Sequence, residues 1–464
     1  MLAGIWPGDE AARLERLIIG YGLAGLPYLF IWWHWRDWAA DRDGLVRLLV
    51  MALLARVVLL VLPPLLSEDV WRYVWDGAVQ WAGHNPYRHA PADPALDALA
   101  APPALAAIRG QIGHAHIPTI YPPAAQLTFL AASVAGPSTL ILRALMALAD
   151  VLLVGALWRW AQRTDRPPQV ALLYAFAPLP ILEGAVGGHI DVAGAAATIL
   201  AGAWLAAGRF GRPALALAYA IGVKFLPILA LPTLLRAHRR TVALTLLAVA
   251  LLAVPYLGAG QELLDGLRAY GHRWRANEGL FAVLAWPFEL WWPPSELPVD
   301  LPPVAVRAVR TLVGDSPGAL PHQVWPDEVA FAAAKATAIG LFGLLCLQRW
   351  WAARDLETSL GPILVGLFLV APVLHPWYLV WALPFAVLGI ASRRWWAHAV
   401  LIWSLLAWTA YLPRPDYLRT GEWSVDWRWR LVEYVPVWAA LLVGAVKRVR
   451  SGRRAEIRRS PASP

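Results

Sequence analysis

Residues 46–66, VRLLVMALLARVVLLVLPPLL, run straight into residues 67–91, SEDVWRYVWDGAVQWAGHNPYRHAP. The first stretch is long enough to cross a bilayer, which takes about 20 mostly apolar residues. Glu68 and Asp69 therefore stand where the chain leaves the hydrocarbon. Continued as a helix, the second stretch places Asp69, Arg72 and Asp76 at i, i+3 and i+7 on one face. The other face carries Trp71, Val74, Trp75, Ala78 and Trp81, a composition suited to the headgroup layer. Gly83, Asn85 and Pro86 end the helix. The expectation is an acidic cluster on a surface helix, pressed against the membrane and facing water.

Composition agrees. Of 464 residues, 59% are hydrophobic and 15% charged, with mean hydropathy +0.51. A soluble domain this apolar would be anomalous, whereas polytopic helical membrane proteins look like this. Many of the 28 Trp cluster at the ends of apolar runs, as aromatic belts do. The formal net charge of +9 is no nucleic-acid signature. Its positive residues lie in short loops and the C-terminal tail, where they orient a protein in a membrane. Cys346 sits in an apolar run, which leaves neither a disulfide framework nor a cysteine metal site. Residues 1–13 contain Asp9 and Glu10 and lack a basic start, unlike a cleavable signal peptide.

Runs able to cross the membrane lie near 14–35, 46–66, 139–160, 169–187, 191–208, 241–258, 328–350, 359–375, 377–391, 396–412 and 433–447, about 11 in all. Arginine-bearing loops set the topology: Arg159, Arg163 and Arg166; Arg209 and Arg212; Arg236, Arg239 and Arg240; Arg349 and Arg354; Arg393 and Arg394; and the tail KRVRSGRRAEIRR (447–459). If these are cytoplasmic, residues 67–138 lie outside, with the N-terminus outside and the C-terminus inside. YPPAAQLTFLAASVAG (121–136) is barely long enough to span and reads as a dipping or interfacial helix. Residues 213–235, basic at both ends with Gly222, Lys224 and Pro227 between, read as a broken re-entrant hairpin, since irregular backbone at membrane depth is tolerated when buried in protein. The expected fold is all-α and polytopic. It comprises one transmembrane domain (1–450) with outer loops 67–138 and 259–327, the second holding short interfacial helices, and a basic cytoplasmic tail (451–464).

Five clusters can carry chemistry. Glu68 and Asp69 suit a general base at the membrane surface, or a pair of acids holding a divalent cation such as Mg or Mn. Acids are also favoured at a helix start by the dipole alone; the company of Arg72, Asp76, Asn85 and Tyr87 strengthens the functional reading. In EGAVGGHIDV (183–192), His189 and Asp191 lie at the outer end of a helix pair. Glu183 lies one or two turns inside the membrane, where an acid costs about 2.5–3.5 kcal/mol and needs a polar partner, an arginine being the structural choice. Their spacing is not that of a zinc site. Lys224 is the lone cation of AIGVKFLPILALP, and at a hairpin break it calls for an anion, either a buried carboxylate or a phosphate.

GLRAYGHRWRANEG (266–279) puts Arg268, His272, Arg273 and Arg275 on the outer side, against the positive-inside trend. Guanidinium groups bind phosphates and carboxylates well, often bidentately. In HPWYLVWALP (375–384), His375 stands at an outer boundary as a proton-transfer or phosphate-contacting candidate, followed by Trp377 and Tyr378 at headgroup depth. On this topology all five clusters share one side of the membrane. They outline an outer polar cavity suited to a substrate with a phosphate and a lipid tail. A nucleoside-diphosphate donor would need a cytoplasmic site, and no Gly-rich phosphate loop is present there.

The order SEDVWRYVWDG, GHNPY, YPPAAQL, EGAVGGHID, VKFLPILALP, RAYGHRWRANEG and HPWYLVW resembles the GT-C glycosyltransferases. It is most similar to the bacterial polyprenol-phosphate-mannose-dependent enzymes and the PIG-M-like mannosyltransferases. The similarity runs from about residue 45 to 390, the crossing at 14–35 being an addition before the family's usual first helix. The resemblance implies a GT-C-like helical bundle whose first outer loop bears a catalytic DxD-like motif. Glu68 and Asp69 occupy its place, although here the acids are adjacent. It further implies Asp69 as base or acceptor orienter with Glu68 beside it, and Asp191 as a second acid. The remaining substrate-contact candidates are Arg72, Asp76, Asn85, Tyr87, Tyr121, Glu183, His189, Lys224, Arg268, Arg273, Arg275, Asn277, His375 and Tyr378.

The implied partners are membrane lipids, a sugar linked to polyprenyl phosphate, and a glycolipid, glycan or protein acceptor, with no nucleic acid. The reaction inverts the anomeric carbon, often without a strict metal requirement. The expected setting is a bacterial inner membrane with the site on its extracytoplasmic face. A flippase for lipid-linked glycans is the alternative. It should show repeat symmetry and a charged path reaching both faces, and the acids here gather on one.

Overall fold

A computed structural model describes residues 8–459, with side chains through Arg450. The first seven residues, part of the stretch compared with a signal peptide, lie outside the described residues. So do the last five and the remaining side chains of the 451–464 tail. The chain is 74% helical and is an all-α membrane protein. Its one sheet among the described residues is a two-stranded ribbon pairing Val299 with Val324 and Asp300 with Gln323.

Among the described residues five helices are long and apolar enough to cross a membrane: Glu10–Asp37, Thr139–Arg163, Arg239–Arg273, Pro326–Ala352 and Trp427–Arg450. A sixth forms if the pair Pro168–Ala175 and Pro178–Gly187, bent by 58°, counts as one span. The other expected crossings are shorter. Asp191–Leu205 and Leu356–Val370 have 15 residues each, a rise of about 22 Å against a hydrocarbon core of roughly 30 Å. Leu379–Ala391 has 13 and Ala397–Leu406 has 10. The run at 46–66 forms Arg42–Leu59, which ends ahead of Pro63 and Pro64 and carries Arg42, Asp43, Arg47 and Arg56. Charge and proline shorten what hydropathy alone reads as a full span.

The chain folds into two compact units. One comprises the chain up to Leu66, Ala144–Arg209 and the chain from Pro376 on; the other comprises Ser67–Arg143 and Phe210–His375. In the first unit Arg56 is fully buried and paired with Asp150, Nη2 to Oδ2 at 2.6 Å. Tyr174 donates to the other carboxylate oxygen at 2.6 Å, and Arg56 Nη1 donates to the carbonyls of Ala52 and Ala175. Ala175 ends Leu172–Ala175, so the pair also satisfies a carbonyl exposed where the bent helix breaks.

In the second unit, helix Asp69–Trp81 packs on Pro123–Ala132 through Gly77. A Cβ there would meet Ser133 Oγ at 2.0 Å and the Phe129 carbonyl oxygen at 2.5 Å, so only glycine allows this approach. Gly211–Val223 approaches the same helix at Gly222, whose added Cβ would stand 2.7 Å from Ala124 Cβ. The chain turns extended at Lys224 and resumes as Leu226–Ala230 and Leu231–Ala237, a break where the sequence places one. Pro123–Ala132 has ten residues, too few to cross.

The segment 259–327 holds Asp265–Arg273, Leu280–Trp291 and Pro303–Val313. Val306, Val309 and Val313 of the last helix form a buried stripe with Val324 and Ala332. Lys335, buried in the long helix Pro326–Ala352, donates to the carbonyls of Gly271 at 2.7 Å, His272 at 3.2 Å and Leu312 at 2.6 Å. One ammonium thus caps the C-terminal ends of two helices, where carbonyls lack helical partners.

Candidate functional site

Asp69 is the first residue of Asp69–Trp81, half-buried, with its amide donating to Ser67 Oγ at 3.3 Å. Tyr73, one turn on, points its hydroxyl at Asp69 Oδ2 at 3.5 Å and stacks its ring on Phe129 at 4.5 Å. Glu68 lies over the backbone of the loop that follows Asp69–Trp81, where a Cβ on Gly113 would stand 2.0 Å from its Oε2.

Asp76 is 2% exposed. Arg72 Nε donates to its Oδ1 at 2.8 Å and Gln126 Nε2 to its Oδ2 at 2.9 Å. Arg72 also binds the Ile117 carbonyl, and Gln126 also binds Thr119 Oγ1 at 2.7 Å. Gln80 extends the network to Gln126 at 2.9 Å and accepts from the Tyr256 hydroxyl at 2.8 Å. These ties revise the surface-helix expectation. Val74, Trp75, Ala78 and Val79 are buried with Asp76, and of the expected apolar face it is Trp81 that stands well exposed. The helix is encased in protein because its polar face finds amide and guanidinium partners and its apolar face finds other helices.

Farther along, Asn85 Oδ1 accepts from the Tyr87 amide at 3.0 Å and Asn85 Nδ2 reaches the Tyr256 carbonyl at 3.4 Å. Tyr87 donates to the Tyr121 carbonyl at 2.7 Å, and the Tyr121 ring meets Tyr73 edge-on at 4.9 Å. Burial, then the neighbouring Tyr256 and Asp76, holds the Tyr87 phenol well above its usual range, so it stays a neutral donor. The loop beyond is strapped by Arg109, which donates to the Pro91 and Asp93 carbonyls and to Asp97. His89 sits 2.7 Å from Asp93 and, with the Ala95 amide, holds that carboxyl below its usual value.

The arginines of 266–279 have carboxylate partners. Arg268 pairs with Asp265 at 3.0 Å, Arg273 with Glu328 at 3.0 Å, and Arg275 with Glu278 and, at 2.9 Å, Glu289. The Glu278 hydrogen bond raises the Arg275 pKa further. Asn277 adopts a left-handed backbone (φ 46°) beside a parallel bridge between Ala276 and Val373. Lys224 and His375 are half-buried in the same unit. Among the described residues no three His, Cys, Asp or Glu side chains gather closely enough to share a metal ion.

The first unit holds Glu183, His189, Asp191 and Tyr378. Glu183 accepts from the Tyr411 hydroxyl at 2.7 Å and meets His189 Nδ1 at 2.9 Å. A tyrosine and a histidine thus serve as its partners where an arginine was expected. The His189 ring stacks on Trp377 with centroids 4.1 Å apart. Asp191 opens Asp191–Leu205 and accepts from the Trp381 indole at 2.7 Å. Gly188 is left-handed (φ 69°) after a π-turn over Glu183–Gly187, and a Cβ on Gly187 would meet His189 Nδ1 at 2.5 Å. The glycine pair is there to fold His189 back onto Glu183. Tyr378 packs edge-on against Trp377 at 6.1 Å.

The family model for alpha-(1→6)-mannopyranosyltransferase, N-terminal domain, matches residues 3–240, more than half of the chain. The chain belongs to this mannosyltransferase family. No curated protein and no solved structure matches it. The matched part of the mannosyltransferase includes Glu68, Asp69, the Asp76 network, Glu183, His189, Asp191 and Lys224. The paired arginines of 266–279 and His375 lie beyond it.

Sequence reading missed Gln126, Trp381 and Tyr411, which bond the acids directly, and Gln80, Thr119 and Tyr256, which complete the network behind Gln126. Gln126 had a legible signal as the sole amide of its apolar stretch. Trp381 and Tyr411 look like belt aromatics until the fold brings them to an acid, and Tyr256 until its hydroxyl reaches Gln80.

Proposed function

We propose that the protein transfers mannose from a polyprenyl-phosphate-linked donor to a glycolipid or glycan acceptor outside the cytoplasm, with inversion at the anomeric carbon. The supporting observation is Asp69, a half-exposed carboxylate at the start of a helix that the Asp76 network fixes in place. Such a carboxylate can take the proton of an acceptor hydroxyl as its oxygen attacks C1 of the mannose. The C1–O bond to phosphate breaks, and polyprenyl phosphate leaves with the electron pair. The family's product is α-linked, so inversion requires a β-linked mannosyl phosphate. Lys224 is the group we assign to the leaving phosphate's charge, and Asp191 enters as the second acid that the resemblance implies.

The same reading puts about 11 crossings in the chain, five of them short, with the N-terminus outside and the C-terminal tail in the cytoplasm. It treats residues 1–450 as one transferase domain in a bacterial inner membrane. The test is purified protein in lipid nanodiscs, given synthetic β-mannosyl polyprenyl phosphate and octyl α-mannopyranoside. An α-linked disaccharide by NMR is expected. A β-linked product, or transfer from a nucleotide-linked mannose instead, would overturn the mechanism.

A further inference from the structure

The second outer segment and the first outer loop meet in three rings. Trp274, half-buried just past Asp265–Arg273, lies 4.5 Å from the ring of His114 and 5.5 Å from that of Tyr270. His114 is exposed and held at φ 52°, a left-handed backbone that non-glycine residues rarely adopt. Such conformations persist where the surroundings over-determine them and gather at functional sites. The residue before it, Gly113, is the one over which Glu68 lies, next to Asp69. Rings and acids are thus joined through two adjacent loop residues within one unit.

Charge decides what such a surface can take. Arg268, Arg273 and Arg275 each hold carboxylates, so the ring cluster is not a phosphate cradle. An aromatic face carries negative quadrupole charge and attracts the positive edge of C–H groups, which a pyranose presents on its flatter side. A neutral sugar fits; an anion does not.

We propose that Trp274, flanked by Tyr270 and His114, is the platform on which the acceptor sugar stacks. The proposal rests on the transferase reading above and names where that reaction's acceptor binds. The left-handed His114 sets its own ring against Trp274 while leaving Gly113 under Glu68.

The test compares wild type with Trp274→Ala, Trp274→Phe and His114→Ala. Titration of octyl α-mannopyranoside without donor reads binding alone. Trp274→Ala should weaken it about tenfold and Trp274→Phe about threefold or less, the range of an aromatic contact. In turnover, the KM for octyl α-mannopyranoside should rise in Trp274→Ala while the KM for β-mannosyl polyprenyl phosphate holds. His114→Ala, which removes one flank, should fall between. Unchanged affinity in Trp274→Ala, or donor and acceptor KM rising together, overturns the platform. Absence of transfer by the wild type would instead sink the transferase reading, and the binding titration would still judge the platform.

Discussion

Asp69→Asn is expected to lower kcat for mannosyl transfer by about 10²–10⁴-fold, the usual contribution of a general base, with thermal stability nearly unchanged. Asparagine keeps the shape, can still accept from the Tyr73 hydroxyl at 3.5 Å and leaves the backbone amide bonded to Ser67 Oγ, but it cannot take a proton. Asp76→Asn is the informative control. Asp76 is buried and receives Arg72 and Gln126 on separate oxygens, so its replacement leaves Arg72 short of an anion and should cost stability as well as rate. Loss of rate in a protein that melts like the wild type separates the base from the scaffold. Full activity in Asp69→Asn would move the base to Glu68 or Asp191.

Arg56→Met should destabilise the protein by about 3–5 kcal/mol, the cost of orphaning a buried ion. Arg56 and Asp150 are both fully buried, and Met would leave the Asp150 carboxylate to the Tyr174 hydroxyl. The carbonyl of Ala175 would also lose its donor where the helix bends. Arg56→Met with Asp150→Leu should recover much of the loss, because an apolar pair of similar volume is often neutral. Chemical denaturation of the purified proteins in detergent would show it. Equal midpoints for wild type and Arg56→Met would mean the pair carries no weight.

Hydropathy reads the long helices well: the runs at 14–35, 139–160, 241–258, 328–350 and 433–447 all fall within long helices. It reads the short ones as crossings too, since composition cannot see where proline, a π-turn or a buried ion ends a helix. The acidic residues were legible as types, their partners less so. Asp69 and Asp76 look equivalent in sequence, one helical turn-pair apart. The long-range arrival of Gln126, 50 residues on, joins Arg72 in making Asp76 a support, which the sequence does not distinguish from the proposed base, Asp69. Arg56 and Asp150 went unread, although each is a charge inside an apolar run and an intramembrane ionisable residue asks for a named partner.

Lys335 fastens the ends of Asp265–Arg273 and Pro303–Val313 to one point on Pro326–Ala352. Neither short helix can fray at that end without giving up a bond to the same ammonium, so local opening of one loosens the other. In the language of native-state hydrogen exchange the two helices form a single cooperative unit. The segment that carries Trp274 therefore opens as a block.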